Sequence, residues 1–225
     1  MRFPPSPSQC SHMEVLQSLH TNLLQVDDTS KFLMVFEALF VGWLMTDKSN
    51  LSPFAARKLC HAGSGCVMML INTENGACRL FIYLVAFTSL VMNWELFPTL
   101  LPNFWFGAPR DKGITLYLIL VSGWVYCGLS LRILAPVFLA DPAGAVVGKW
   151  LSSHFPKDNK KWIGTKTVGG SMAVFLTTFV TLYRPIATGE RIAVALLATL
   201  GEAIGGAYDN LVIALVVMAF SGLFT

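Results

Sequence analysis

Long apolar runs recur along this chain, separated by short polar stretches, and they constrain the fold more than any motif does. Eight can be marked: Phe32 to Met45, Leu59 to Ile71, Leu80 to Leu101, Ile114 to Leu131, Ile133 to Val147, Val168 to Tyr183, Ile192 to Ile204 and Leu211 to Phe224. Between them there is too little charge to build a water-facing surface. Charged residues are 13% of the chain and apolar residues 54%, against about 25% charged in a soluble domain. The expected architecture is therefore an all-α, polytopic integral membrane helical bundle. A helix needs about 20 apolar residues to cross a bilayer squarely. Several runs are shorter, as half-spans or segments lining a protein cavity are, so the expected number of transmembrane helices is six to eight.

The first 30 residues differ from the rest. Pro4, Pro5 and Pro7 stand among mixed polar residues, with no apolar core of signal-peptide type. Residues 1–30 read as a flexible or surface-lying arm, and 31–225 as a single transmembrane domain. Five cysteines occur without a CxxC pair, which points to small hydrophobes rather than a disulfide framework or a zinc site. A net charge of +3 gives no reason to expect nucleic acid as a partner. The expected location is a membrane of the endoplasmic reticulum or a plastid, and no segment chooses between them.

Charge placement is more informative than net charge. If all eight runs cross, the loops 47–58, 102–113, 148–167 and 205–210 share one face. They hold ten of the sixteen Lys and Arg residues, so this face is expected on the side from which insertion occurs. The polar oddities fall on the same side. Arg57-Lys58 with His61, Asp141 to Lys149, the lysine-rich loop ending in "GTKTVGGS", and "GEAIGGAYDN" from Gly201 to Asn210 are all there. Ionisable groups at membrane depth are costly and usually functional. Their convergence makes a binding or active site the leading expectation.

The chemistry of these blocks is that of a nucleotide site. In "KDNKKWIGTKTVGGS", Gly169 and Gly170 would let backbone amides approach an anion, and the start of a helix adds free N–H groups. Lys166 would neutralise phosphate, and Thr167 and Ser171 would donate hydroxyls. A plain helix cap uses the same glycines. The stretch "GAVVGKW" is not a Walker A loop, having three residues between its glycines and Trp after its Lys. Asp141, Glu202 and Asp209 are hard-oxygen ligands suited to Mg2+ on phosphates. Asp141-Pro142 and Asp209-Asn210 read equally well as helix N-caps. Ala143, Gly144, Ala145 and Gly148 fit close helix packing or close approach to a nucleotide. Arg57, Lys58 and His61 serve either as site groups or as span anchors.

Taken in order, "RKLCHAGSG" (Arg57 to Gly65), "DPAGAVVGK" (Asp141 to Lys149), "KTVGGSMAVF" (Lys166 to Phe175) and "GEAIGGAYDNLVIAL" (Gly201 to Leu215) resemble the four signatures of the polyprenol kinase family. That family includes phytol kinases, dolichol kinases and CTP-dependent diacylglycerol kinases. The resemblance runs from about residue 55 to the C-terminus and is more specific in the third and fourth blocks. It implies a multi-span enzyme that moves a phosphoryl group from CTP, or another nucleoside triphosphate such as ATP, to a lipid hydroxyl. Two departures stand out: the second block continues "GKWLSSHF" without the family's later Gly, and Val212-Ile213-Ala214 follow Asn210 where a Pro or hydroxyl residue is usual.

On this reading Asp141, Glu202, Asp209 and Lys166 carry catalysis. Asp141 and Asp209 would hold Mg2+, and Glu202 would be a further ligand or, like Asp209, the base. Lys166, Lys149 and the Gly169 and Gly170 amides would hold phosphates. Thr167, Ser171, Asn210, Arg57, Lys58 and His61 complete the nucleotide-binding set. The partners expected are the lipid bilayer, a lipid alcohol and a nucleoside triphosphate. Two other readings stand beside it. A phosphatidate cytidylyltransferase-like enzyme would make a CDP-lipid, although the late Asp-Arg-x-Asp of that signature is absent. A transporter or scaffold would be non-catalytic.

Overall fold

The structure, a computed structural model, describes residues 25–46, 50–182 and 187–223. The expected N-terminal arm lies outside the described residues up to position 24. Helices α1 to α4 and α6 begin where a polar side chain can take over orphaned backbone N–H groups. Helix α1 (Asp28–Met45) starts at Asp27, whose carboxylate accepts from Ser30 N–H at 2.8 Å. Helix α2 (Pro53–Leu70) is capped by Ser52 and has Pro in its first turn. Helix α3 (Gly76–Asn93) is capped by Asn75, and α4 (Lys112–Tyr126) by Asp111. A short 3-10 turn, Leu131–Leu134, leads into α5 (Ala135–His154). A two-stranded antiparallel hairpin follows, β1 (Lys161–Ile163) with β2 (Lys166–Thr167), turning at Gly164 with φ 53°. Then come α6 (Val168–Thr181), α7 (Thr188–Gly205), a 3-10 turn at Gly206–Tyr208, and α8 (Asp209–Leu223).

The fold is mostly helical, as the apolar runs require. Three helical stretches are long and apolar enough to cross a membrane: Gly76–Asn93, Leu131–His154 and Thr188–Phe220. Helices α4 and α6 are apolar but shorter. The outer surface fits a lipid surround. Phe32, Leu39, Phe87, Val180 and Ile204 are 67%, 69%, 67%, 73% and 72% exposed, which water would penalise as a contiguous coat.

Two expected boundaries move. The third run does not stay helical to Leu101: α3 ends at Asn93, Glu95 adopts φ 52°, and Pro98 and Pro102 punctuate the connection. The seventh and eighth runs form separate helices, as expected, and pack on each other, the chain turning at Gly206 with φ 57°. Asp141 is not an N-cap. It sits inside α5 with Pro142 beside it, because the helix has already begun at Ala135 with Pro136 in its first turn. Pro142 removes the N–H that would bond Phe138 O. The Asp141 carboxylate is held by side chains of another helix instead.

Helix α5 is the centre of the bundle and packs against α2, α6 and α8. Phe138, Val137, Leu134, Ile82 and Ile213 are fully buried around it. Two close approaches rest on missing side chains. A Cβ at Gly65 of α2 would run into the Phe138 ring of α5. A Cβ at Gly148 of α5 would meet Gly170 Cα of α6 at 3.3 Å. Small residues let helix backbones approach in lipid, where packing rather than hydrophobic exclusion drives association. These contacts seat α2 near one end of α5 and α6, with the hairpin that leads into it, near the other, and Asp141 lies at the point between them.

Candidate functional site

At that point three carboxylates converge. One oxygen each from Asp141, Glu202 and Asp209 lies within 4.8 Å of the others. The residues come from the middle of α5, the end of α7 and the start of α8, so only the folded bundle assembles them. Two lysines face the group. Lys58 Nζ of α2 donates to Asp141 Oδ2 at 2.7 Å. Lys166 Nζ of β2 donates to Glu202 Oε1 and lies 3.5 Å from Asp209 Oδ2. Burial works to lower the Lys166 pKa, but bonding to Glu202 and the charges of Glu202, Asp209 and Asp141 outweigh it and hold the value above the ordinary 10.5. The ammonium is charged at neutral pH, and its stabilising effect lapses only as pH rises through that raised value.

His61 flanks the cluster. Its Nε2 lies 3.1 Å from Val137 O, and since a carbonyl only accepts, Nε2 carries the proton. Nδ1 then faces Asp141 Oδ2 at 3.6 Å, beyond a hydrogen bond. The imidazole rests on Tyr117 with ring centroids 4.4 Å apart. Of the expected site residues, Lys58, His61, Asp141, Lys166, Glu202 and Asp209 meet here, and the buried Asn210 adjoins them, its Oδ1 without a hydrogen-bond partner among the described residues.

The rest of the expected nucleotide set goes elsewhere, apart from Arg57, which shares a cavity lining with Lys58 and His61. Thr167 is the N-cap of α6, its Oγ1 accepting from Gly170 N–H at 3.2 Å. Gly169 N–H donates to Asn159 Oδ1 at 2.9 Å, and Val168 N–H to Lys160 O at 3.0 Å. Ser171 Oγ accepts from Trp162 Nε1 at 2.9 Å. The phosphate cradle expected of Gly169 and Gly170 is thus closed: its first amides already have partners within the chain. Gly144 and Gly148 serve helix packing, since a Cβ at either would run into α6 or its cap. Lys149 stands exposed over the Phe54 ring at 4.2 Å. It is eight residues beyond Asp141, about 12 Å along the helix, and joins no carboxylate among the described residues. Arg57 is paired with Asp111 through two hydrogen bonds of 2.7 and 3.1 Å.

Beside the cluster opens a cavity of about 530 Å3. Asp141, Asp209, Lys58, His61, Arg110 and Lys112 contribute to its polar lining. Farther along the same helices the lining becomes apolar, with Met68, Ile82, Val85 and Val121. Glu202 does not line it. Three participants escaped the motif reading. Asp111 is legible as a cap ahead of an apolar run, and it both starts α4 and binds Arg57. Arg110 supplies a cation from a connection with no motif. Glu37 is a lone acid inside an apolar run, a signal that the sequence does carry.

The arrangement is therefore a helical membrane-type bundle holding a buried carboxylate and lysine cluster at the polar side of an otherwise apolar cavity. No family model, curated protein or solved structure matches the chain.

Proposed function

We propose that this protein is a membrane lipid kinase of the polyprenol kinase type, transferring a phosphoryl group from CTP, or another nucleoside triphosphate such as ATP, to a lipid alcohol. One observation carries the reading: four sequence blocks far apart in the chain supply one cluster of three carboxylates and two lysines, and that cluster borders an amphipathic cavity. A lipid alcohol needs both halves, an apolar channel for its chain and a charged end for its hydroxyl.

The carboxylates suit Mg2+. Its ligands stand at 2.0–2.1 Å, so opposite donors are about 4.2 Å apart. Oxygens already within 4.8 Å need only small movements. Asp141, Asp209 and Glu202 would hold the ion, which would neutralise charge on bridging phosphate oxygens. Lys58 and Lys166 orient the phosphates from two sides, and Arg110 and Lys112 add positive charge. Asp209 lines the cavity and Glu202 does not, so Asp209 takes the proton of the lipid hydroxyl as its oxygen bonds to the phosphorus. The bond from phosphorus to the leaving nucleoside diphosphate breaks in the same transfer. Positioning and electrostatics supply most of such catalysis.

In this reading α1, α2, α4 and α6 join the three longer stretches in a bundle of six to eight spans. Exposed apolar side chains on α1 and α6 support that. The test is direct. The detergent-purified protein is given Mg2+, labelled CTP or ATP, and phytol, dolichol, diacylglycerol or phosphatidate. Labelled phosphate on an alcohol and release of nucleoside diphosphate are expected. A folded protein that phosphorylates none of them sinks the proposal, and pyrophosphate release with a CDP-lipid replaces it with the cytidylyltransferase reading.

A further inference from the structure

Glu37 lies in α1, eight residues before its end and about 12 Å along the helix from it. The side chain lines the cavity yet is 1% exposed. Both carboxylate oxygens are buried and make no hydrogen bond among the described residues. The Ser64 hydroxyl of α2 approaches without reaching hydrogen-bond geometry. Every other carboxylate of the site has a cationic partner: Asp141 has Lys58, Glu202 and Asp209 have Lys166, and Asp111 has Arg57. Among the described carboxylates, Glu37 alone meets the cavity with both acceptors unused.

A buried carboxylate without a partner is costly to keep. Apolar residues of similar size would pack this position without that cost. The neighbouring cavity lining also carries Cys60, Ser64 and Ser89 among apolar side chains, a second, weaker polar patch away from the lysines. Along α2, Lys58 and His61 turn toward Asp141, while Cys60 and Ser64, with Tyr117 of α4, lie nearer Glu37. The two carboxylates thus address different parts of one cavity.

We infer that Glu37 is a specificity-determining residue that accepts a hydrogen bond from a second donor group on the lipid, a hydroxyl or an ammonium several bonds from the group presented to Asp141. This rests on reading the cavity as the lipid site. It narrows the ligand class to amphiphiles with two separated donors, as opposed to alcohols whose remainder is pure hydrocarbon.

The test measures binding without nucleotide, by quenching of tryptophan fluorescence in detergent. The probes are hexadecan-1-ol, hexadecane diols whose second hydroxyl is moved stepwise along the chain, and the matching amino alcohols. The wild type is expected to bind at least one two-donor probe about ten-fold tighter than hexadecan-1-ol, roughly what one well-made hydrogen bond to a charged group provides. Glu37→Leu removes that preference and leaves hexadecan-1-ol within about three-fold, a difference too small to count as a lost hydrogen bond. Glu37→Gln separates the donors, since a preference for ammonium is lost and one for hydroxyl survives. Equal binding of all probes by the wild type overturns the inference without using any variant. So does a preference that persists in Glu37→Leu, or a loss of mono-ol and diol binding together. Phosphoryl transfer to hexadecan-1-ol without a binding preference overturns this inference and leaves the kinase reading standing. A preference without transfer does the reverse.

Discussion

Lys166 and Thr167 are adjacent in β2, yet they belong to two regions with opposite fates. On one side, Lys166 reaches Glu202 and Asp209 and joins a cluster that borders a cavity. On the other, Thr167 opens a glycine turn whose Val168, Gly169 and Gly170 amides are satisfied by Lys160, Asn159 and Thr167. Both regions carry residue types that suit phosphate. They differ in what folding leaves over. The turn spends its donors on holding α6 to α5, whereas the cluster keeps three carboxylates against two lysines, a formal excess of one negative charge, beside open space. A ligand-binding group is recognised less by its chemistry than by its remaining capacity to bond.

The largest expected effects come from breaking the cluster. Asp209→Asn and Asp141→Asn should each lower phosphoryl transfer by about 10²–10³-fold, the scale seen when one preorganised charge-stabilising group is removed. Initial rates with saturating lipid and Mg2+ measure it. Removal of Mg2+ by a chelator should abolish transfer by wild type. Retained activity in either variant would move the chemistry elsewhere and dissolve the contrast with the turn.

Next in size is the cost of unpairing the cluster. Lys58 and Asp141 side chains are 16% and 8% exposed, so Lys58→Met strands a mostly buried carboxylate. A loss of about 3 kcal/mol in stability is expected, as for a buried pair with one partner removed. Adding Asp141→Asn should recover most of it. Thermal unfolding of the two single variants and the double variant closes the cycle. Additive losses would mean that the pair is not coupled, and the cluster would then be a set of independent contacts.

The limits of the sequence are visible in the same residues. The helical class and the membrane character were legible, since scarce charge and repeated apolar runs leave few other architectures. The meeting of Asp141, Glu202, Asp209 and Lys166 was legible only through the expected alternation of the runs across a membrane, which would bring distant loops to one face. Other features were illegible for physical reasons. Asp141-Pro142 has the pattern of a helix start, and nothing local says that α5 begins six residues earlier. The hairpin from Lys161 to Thr167 is held by a bulged pairing and a Gly164 turn, too short for any periodicity. Asn159 offers no motif, yet it bonds Gly148 O, Ser152 Oγ and Gly169 N–H at once.

The turn makes the complementary prediction. A methyl group at Gly170 would stand 2.9 Å from Gly144 O and 3.3 Å from Gly148 Cα, and backbone cannot step aside as a side chain can. Gly170→Ala should therefore cost about 1–3 kcal/mol by overpacking. The fraction that remains folded should keep an unchanged KM for nucleotide. A ten-fold rise in KM without loss of stability would return the turn to the binding site and erase the distinction drawn above.

Lys149 sharpens the comparison at its smallest scale. Its exposed ammonium lies over Phe54, a contact worth about 0.5–1 kcal/mol at the surface. Lys149→Ala should shift stability by no more than that and leave transfer and nucleotide KM unchanged. Lys149→Glu is the stricter test, because a long-range electrostatic role would be reversed by it. Rates measured at low and at physiological salt separate the cases: a role in collecting nucleotide from solution would be strong at low salt and fade as screening shortens its reach to about 8 Å. No salt-dependent difference from wild type is expected, since the cations that line the cavity are Arg57, Lys58, Arg110 and Lys112 rather than this one.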